Sequence, residues 1–454
     1  MELFCLNNIE SIQSGYLKKE YSVVEVAHEM LKECKKYQEF DVWSCLDEEI
    51  LLKRAKICQD KIEKNEIRAL LGIPIGVKDI INTYDYTTEM GSPLWKGFEA
   101  GNDARVVAQL KGEGAFVAGK TVTAEFAVDA LTATRNPFDK SKTPGTSSSG
   151  SAAAVALGLV PVALATQTAG SIIRPSSFCG VIGFKPSFGI VPRVGVLKTT
   201  DSLDTVGFMT TNVENIRKVF DNLIVKGIDY PFSYHAFHNK NRQKKGKRPW
   251  KLAFIKTYTW DNAKDYVKRD IEQWIRKINN EDGVEVVEED INSMIHDAHE
   301  VHRTIYEKSL SYYFQNESLC KDEMSEGMLH MIGRGREIEA SDYFHALERQ
   351  DQLLADMDRF MEKYDAIISM STASEAVQRG CRELDDPSLI WNLLHLPTVN
   401  IPAFKNQESQ MPFGIQITAR KYNDYLLLHL IEEFAQRHYI MQNIRDITYK
   451  PFDI

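Results

Sequence analysis

The stretch that decides the fold is Gly145-Thr-Ser-Ser-Ser-Gly-Ser-Ala-Ala-Ala-Val-Ala-Leu-Gly-Leu-Val-Pro-Val-Ala-Leu-Ala-Thr-Gln-Thr-Ala-Gly-Ser171. A Gly/Ser loop opens it, and the alanine-rich run from Ala152 predicts a helix that stops at Gly158. Residues 159–165 are continuously apolar, which is typical of a buried strand. In an open α/β sheet, ligands bind at the loops beyond the carboxyl ends of strands. We therefore expect a site at the small-residue turn 166–171.

The same alternation of strands and helices continues on both sides of this stretch. The predicted strands cover residues 70–79, 115–118, 364–370, 396–402 and 413–418, and the main predicted helices cover 105–111 and 425–436. This order predicts an α/β fold with a central mixed, largely parallel sheet that is covered by helices on both faces. We expect one domain over residues 1–454, with a helical preface at about 1–65 and a helix-rich insertion at about 230–360 that covers the core.

The composition is that of an ordinary globular protein, with 43% hydrophobic and 26% charged residues among 454. A net charge of −9 disfavours general binding to nucleic acid or to anionic membranes. The basic run 240–248 contains no aromatic residue and is predicted to be a solvated loop. Neither a secretory signal nor a membrane-spanning stretch is recognisable, so we expect a cytoplasmic protein without a membrane partner. Seven scattered cysteines without a C-x-x-C pair fit reduced thiols.

Three polar features can carry chemistry: Lys78 at the end of a predicted strand, the serine cluster 146–150, and Ser171. Serine needs a base that takes its proton as it attacks, and a serine-rich site without a neighbouring histidine points to lysine as that base. Such a lysine must be neutral, although its ordinary pKa is about 10.4. The apolar residues 73–77 predict burial of Lys78, which would lower its pKa. Taken alone, Lys78 also fits a surface strand end, as most lysines do, and Ser171 also fits a turn cap, which is common at such positions.

The two short motifs around the serines also have simpler interpretations. A Gly/Ser loop can be a flexible linker or a phosphate cradle, but a helix follows this loop at once and no Gly-Lys-Ser/Thr ends it. The small residues Ala169 and Gly170 allow successive backbone N–H groups to converge on one oxygen. The pair therefore favours an oxyanion hole beside Ser171.

Together these motifs resemble the amidase signature family. The residues that carry the resemblance are 145–156 and 166–186 for the signature itself, 72–79 for the lysine motif, and 397–402 and 412–416 for the closing motifs. The resemblance covers nearly the whole chain and is weakest between about 230 and 360. It implies an amidase that hydrolyses a carboxamide C–N bond through an acyl-enzyme, without a cofactor or a metal, and it implies the amidase signature fold.

The resemblance also implies a Ser-Ser-Lys triad. Ser171 would be the nucleophile, Ser147 the bridging serine and Lys78 the base, and Ser171 follows Ser147 by 24 residues, as in the family motif. The bond between Thr146 and Ser147 would be a cis peptide. The implied oxyanion hole consists of the backbone N–H groups of Thr168, Ala169, Gly170 and Ser171.

The signature departs from the family at three positions. The family usually has Gly-Gly where this chain has Gly145-Thr146, Asp at the position of Gln167, and Gly at the position of Ala169. Arg174, three residues after the nucleophile, is most similar to the malonamidase branch, in which that arginine holds a substrate carboxylate. A small amide that carries a carboxylate is therefore one candidate substrate. A structural ion pair of Arg174 that ties down the loop is an equal alternative.

Two further functions stay open at this stage. Similar chains serve as glutaminase subunits of tRNA-dependent amidotransferases or as acyl transferases, and a catalytically silent binding protein on the same fold is a second alternative. A small-molecule amide is the expected partner, and the sequence leaves a homodimer open.

A group of three histidines, His296, His299 and His302, falls on a predicted helix, but the zinc pattern H-E-x-x-H is absent. We therefore predict that these histidines lie on a solvated polar helix face.

Overall fold

The computed structural model describes residues 8–128, 130–240, 242–244, 246–381 and 383–444. Within these ranges the centre of the molecule is one eleven-stranded sheet. The strands β1–β11 are, in chain order, Trp43–Cys45, Pro74–Lys78, Phe116–Thr121, Val162–Gln167, Ile182–Lys185, Thr205–Thr210, Trp250–Ile255, Val284–Glu289, Ala366–Met370, Thr398–Lys405 and Pro412–Ala419. Across the sheet their order is β1-β3-β2-β4-β6-β5-β10-β11-β9-β7-β8.

The described residues also form fifteen α-helices. In chain order, α1–α15 are Ile9–Leu17, Val23–Lys36, Glu48–Glu63, Arg105–Gly112, Ser149–Ala156, Ile173–Phe178, Val213–Leu223, Pro231–His238, Asp265–Asn279, Asn292–Ile295, Ala298–Tyr313, Glu326–Glu337, Ala340–Phe360, Ser388–Leu393 and Asp424–Gln436. Helix α2 begins at a capping box, in which Ser22 and Glu25 each bond to the backbone N–H of the other.

The directions of the strands differ from the prediction of a largely parallel sheet. The parallel pairs lie towards the two ends, in β3-β2-β4 and in β9-β7-β8, whereas every pair from β4 across to β9 is antiparallel. The mixed sheet is confirmed, but the prediction that it is largely parallel is wrong. Strands buried on both faces have the same apolar pattern in either direction. The length of the connection between two strands determines whether they can run parallel. Only residues 406–411 join β10 to β11, and such a short link requires an antiparallel pair.

Helices cover both faces of the sheet, as predicted. Strands β2, β3, β4, β6, β9 and β11 are buried at every position. Because successive side chains of a strand point to opposite faces, this pattern requires cover on both sides. Helix α5 packs on β2, β3 and β4, and α6 packs on β5, β10 and β11. The Gly/Ser loop and the turn after β4 therefore lie between the sheet and its covering helices.

The segment 230–360 both covers and extends the sheet. It contributes β7 and β8, which form one end of the sheet, and it contributes helices α8–α13. Helix α11 contacts α12, α13 and α14. The N-terminal segment holds α1, α2 and α3, together with the short edge strand β1.

The basic run 240–248 is less solvated than predicted. Arg242 forms an ion pair with Asp358, and Arg248 forms one with Glu433. Lys244 donates hydrogen bonds to three backbone carbonyl groups, of Met361, Glu362 and Tyr364. Residues 241 and 245 lie outside the described ranges. Arg242, Lys244 and Arg248 therefore bind the protein's own acceptors, whereas Lys240 and Lys247 are exposed, as predicted.

Six cysteines lie in the described ranges and none of them forms a disulfide there; Cys5 lies outside. No helix in the described part of the chain has both the length and the apolar character needed to cross a membrane.

Candidate active site

Lys78 is fully buried at the carboxyl end of β2. Its Nζ atom lies 2.7 Å from Ser147 Oγ, 2.9 Å from Ser148 Oγ and 3.0 Å from Thr166 Oγ1. The two serines belong to the loop before α5, and Thr166 belongs to β4, the parallel neighbour of β2. Carboxyl ends of adjacent parallel strands meet at one edge of a sheet, and the structure brings the lysine and the serine loop together at that edge.

Burial lowers the pKa of Lys78 well below its ordinary value, while the negative charge of Asp204 acts in the opposite direction. A neutral amine has two N–H donors and one lone pair. Ser148 donates its own hydroxyl proton to the Thr166 carbonyl at 3.2 Å, so its oxygen accepts a hydrogen bond from Lys78. With the second N–H directed to Thr166 Oγ1, the lone pair is left for the hydroxyl of Ser147.

Ser147 is fully buried and follows a cis peptide bond from Thr146, as the resemblance implies. Its carbonyl accepts a hydrogen bond from the backbone N–H of Ala124 at 3.2 Å. The carbonyl of Thr146 accepts one from Arg174 Nη2 at 2.9 Å. The bridging position is therefore held from both sides, and one of those contacts comes from the first turn of α6.

Ser171 lies in the turn between β4 and α6, with 8% of its surface exposed. The side chain of Gln167, fully buried, closes this turn: its Oε1 atom accepts hydrogen bonds from Ile172 N at 2.9 Å and from Ile173 N at 3.0 Å. The N–H groups at the start of a helix have no acceptor within the helix, and Gln167 supplies one for Ile172 and Ile173 at the start of α6. Although the family usually has Asp at this position, Gln167 also provides a side-chain oxygen that closes the turn.

The backbone N–H groups of the four predicted members of the oxyanion hole, Thr168, Ala169, Gly170 and Ser171, donate no hydrogen bond to any group in the described ranges. A Cβ atom at Gly170 would overlap the carboxylate of Asp386 and approach Ser388 Oγ at 2.7 Å, so glycine is the residue that fits there. N–H groups that meet no acceptor in the described part of the chain are suited to bind a ligand oxygen.

The carbonyl of Thr168 is held by two side chains from distant parts of the chain. His302 Nε2 lies 2.9 Å from this oxygen and Asn392 Nδ2 lies 2.6 Å from it. The hydroxyl of Thr168 donates to Asp204 Oδ1 at 2.8 Å. Both the side chain and the carbonyl of Thr168 are therefore fixed.

The prediction of a solvated histidine face is wrong for His302. This residue is 3% exposed on α11, and burial lowers its pKa to about 4. His299 is half-buried and contacts Tyr258, whereas His296 precedes the helix and is exposed. The phase of the helix explains the error, because His302 shares the buried stripe of Ala298 and Ile305.

Arg174 forms ion pairs with two carboxylates, at 3.0 Å to Glu383 Oε2 and at 3.5 Å to Asp386 Oδ2. These residues line a cavity of about 550 Å³. Its wall also includes Thr146 and the exposed side chains of Leu131 and Leu384. Of the two interpretations of Arg174, the contacts match the structural ion pair. The guanidinium charge is already balanced by the protein.

Sequence reasoning missed three residues around this turn: Asp204, His302 and Asn392. Asp204 accepts hydrogen bonds from the backbone N–H groups and the hydroxyls of Thr199 and Thr200, as well as from Thr168. Of these three residues, only His302 could have been recognised as buried from the sequence, because it is a polar residue within an apolar helical stripe. In the described part of the chain, no group of three or more His, Cys, Asp or Glu side chains could hold a metal ion.

The chain is similar to known proteins over most of its length. A family model described as Amidase matches residues 25–428. The chain belongs to the amidase signature family. It is 28% identical to a glutamyl-tRNA(Gln) amidotransferase subunit from Staphylococcus carnosus, over 95% of each chain. It is 30% identical to the corresponding subunit from Bacillus pumilus, over 95% of this chain and 98% of that one.

Solved structures show the same amidase signature fold. A bacterial aryl acylamidase superposes with a TM-score of 0.82 at 18% identity, over 98% of this chain and 99% of that chain. The peptide amidase of Stenotrophomonas maltophilia superposes with a TM-score of 0.78 at 22% identity, over 95% and 96%. The family membership makes this chain an amidase of the serine type, which acts on amide C–N bonds.

Proposed function

We propose that this amidase hydrolyses a small-molecule amide with Ser171 as nucleophile, Ser147 as proton relay and Lys78 as base. The observation that carries the proposal is the contact of 2.7 Å between Lys78 Nζ and Ser147 Oγ in a fully buried environment. A lysine that is neutral because of burial can accept a proton from a serine hydroxyl at ordinary pH.

In the first half of the reaction, Ser171 Oγ attacks the amide carbonyl carbon. Its proton passes to Ser147 Oγ, and the proton of Ser147 passes to Lys78 Nζ. The N–H groups of Thr168, Ala169, Gly170 and Ser171 form the oxyanion hole for the oxygen that becomes negative. When the C–N bond breaks, Ser147 protonates the leaving amine and recovers a proton from Lys78. The product at this stage is the amine together with an ester on Ser171.

In the second half, water attacks the ester carbonyl and loses its proton along the same relay. The carboxylic acid leaves and Ser171 regains its hydroxyl. Splitting the hydrolysis in this way replaces one difficult step by two easier ones.

The environment of Arg174 supports a neutral amide over one that bears a carboxylate. Glu383 and Asp386 already neutralise the guanidinium, and a substrate carboxylate entering the cavity would face both of them. The exposed side chains of Leu131 and Leu384 at the cavity wall offer apolar contact to a substrate.

The experiment is a panel of small amides, with and without a carboxylate, assayed for release of ammonia or amine. Turnover that disappears in Ser171→Ala supports the proposal, and turnover that persists in this variant overturns it. A preference for neutral amides supports the interpretation of the cavity.

A second candidate function is that of a glutaminase subunit, which the names of the amidotransferase relatives favour. In that case L-glutamine is the amide, and ammonia release from glutamine rises when a partner protein co-purifies. Efficient turnover of other amides by the isolated chain would favour the simple amidase.

A further inference from the structure

We infer that His302 and Asn392 are positioning residues for the oxyanion hole, because together they hold the carbonyl of Thr168 and so set the direction of the Ala169 N–H. This inference rests on the proposed function of Ser171. It adds two residues from α11 and α14 to a site otherwise built from the turn after β4.

The geometry begins with the peptide plane between residues 168 and 169. This bond is not among the cis peptides of the chain, so its carbonyl oxygen and its N–H point in opposite directions within one plane. His302 Nε2, at 2.9 Å, and Asn392 Nδ2, at 2.6 Å, both end on the Thr168 oxygen. Fixing that oxygen therefore fixes the Ala169 N–H on the opposite side of the plane.

Both side chains act as donors here. A backbone carbonyl oxygen only accepts hydrogen bonds, so His302 carries its proton on Nε2 when it bonds to Thr168. The Nδ2 atom of Asn392 also donates to the carbonyl of Leu203 at 3.1 Å, which sets the orientation of this amide. Exposure of 3% for His302 and 1% for Asn392 keeps water from competing for the Thr168 oxygen.

The N–H of Ala169 lies on the other side of the peptide plane. The N–H of Ala169 meets no hydrogen-bond acceptor in the part of the chain that the structure describes. A third contact, from the Thr168 hydroxyl to Asp204 at 2.8 Å, restrains the rotation of the residue itself. Because His302 and Asn392 hold the Thr168 oxygen on one side of the plane, the Ala169 N–H on the other side is preorganised to donate to a developing negative charge.

The role has a kinetic signature, because the oxyanion exists in the transition state and not in the bound amide. Loss of a transition-state interaction lowers kcat and leaves KM nearly unchanged. Weaker binding of a tetrahedral inhibitor should accompany the loss. A residue with a purely structural role would lower the amount of folded protein without this pattern.

The test uses His302→Phe and Asn392→Leu in the full chain, since each keeps the approximate shape of the side chain and removes the donor. Matched controls are His395→Phe and Asn400→Leu. His395 Nε2 lies 2.6 Å from the Ser202 carbonyl, and Asn400 donates to the Val181 carbonyl at 2.8 Å; both residues are buried. Thermal unfolding of all four variants measures the cost to stability.

We expect each test variant to lower kcat by about 10- to 100-fold, with KM within about 3-fold of the wild type. Inhibition by phenylboronic acid, which forms a tetrahedral adduct on a serine, should weaken by the same factor as kcat. The control variants should keep kcat near the wild-type value. If His302→Phe does not fold, Asn392→Leu carries the test, because both donors end on the same oxygen.

Three results would overturn the inference: kcat values equal to those of the controls, a rise of KM without a fall of kcat, or unchanged inhibition by phenylboronic acid. Ser171→Ala, in the same assay, separates this failure from that of the proposed function. An inactive Ser171→Ala beside fully active His302→Phe and Asn392→Leu rejects only the positioning role. A fully active Ser171→Ala rejects the proposed function and the positioning role together.

Discussion

Lys78 Nζ and Ser147 Oγ lie 2.7 Å apart, and both side chains are completely buried. A charged ammonium group at this position would have lost its hydration and would face the neutral hydroxyls of Ser147, Ser148 and Thr166. Burial therefore favours the neutral amine, which is the form that accepts a proton from Ser147.

Replacing Lys78 by methionine should abolish most turnover. The variant keeps the length of the side chain but removes the base, so kcat should fall on the order of 10³-fold, within the range of general acid–base catalysis. Lys185→Met is the matched control, because Lys185 is equally buried and donates to the carbonyls of Pro186 and Leu396. Amine release and thermal unfolding are the measurements. Wild-type kcat in a folded Lys78→Met variant would remove the lysine from the mechanism.

The pH dependence of kcat/KM should report the titration of Lys78. Its pKa is lowered by burial, so the active neutral form persists at pH values where an ordinary lysine, with pKa about 10.4, is charged. Activity should fall as pH decreases through the lowered pKa and should reach its plateau well below pH of about 10. A rate that keeps rising to about pH 10 would show an unperturbed lysine.

Stability should follow the same titration. Between the lowered folded pKa and the ordinary unfolded pKa of Lys78, the unfolded chain binds more protons than the folded chain. The free energy of unfolding therefore gains a term that rises with pH across this window. Chemical denaturation at several pH values, compared between wild type and Lys78→Met, should show that the variant lacks this term. Identical pH slopes in the two proteins would contradict the lowered pKa.

Replacing Arg174 by alanine should lower kcat on neutral and acidic amides alike. The change leaves Glu383 and Asp386 without their cation beside the turn that carries Ser171. Stability should fall by between the ~1 kcal/mol of exposed ion pairs and the ~3 kcal/mol of buried ones, because these side chains are only partly exposed. Steady-state kinetics on a matched pair of amides decides the role. A KM that rises only for the acidic amide, and that still does so when Glu383→Gln and Asp386→Asn remove the two repelling carboxylates from the same variant, would show that Arg174 binds a substrate carboxylate.

Replacing Gln167 by leucine should displace the turn that holds Ser171. The variant removes the oxygen that accepts from Ile172 N and Ile173 N and leaves two buried donors unpaired, at a cost of about 1–3 kcal/mol each. We expect a lower melting temperature together with a lower kcat. Gln416→Leu, a buried glutamine that donates to the Met370 carbonyl, serves as the control for stability alone. Full kcat in Gln167→Leu would mean that the turn does not need this contact.

Sequence reasoning reached those parts of the site that are local in the chain. Lys78 ends an apolar strand and Ser147 lies in the loop before the next helix, and the structure confirms the contact between them. The place of Ser171 in a relay with these two residues stays a prediction. The cis bond between Thr146 and Ser147 is implied by the family motif and is present. Strands β9, β10 and β11 are also predicted, since apolar runs of that length indicate strands in any fold.

The remaining features depend on tertiary contacts that no local pattern encodes. Asn392 meets the Thr168 carbonyl across 224 residues, and His302 meets it across 134. The predicted strand direction is wrong because a strand that is buried on both faces has the same pattern either way. The ion pairs of Arg174 depend on Glu383 and Asp386, which lie more than 200 residues downstream.

Labelling with phenylmethanesulfonyl fluoride tests the central claim most directly. This reagent sulfonylates a serine that an adjacent base has activated, and peptide mass spectrometry locates the label. The relay from Ser171 through Ser147 to Lys78 predicts one label per chain, on Ser171, with loss of turnover in proportion and with much slower labelling of Lys78→Met. Inactivation with the label on another residue, or equally fast labelling of Ser171 in Lys78→Met, would contradict it.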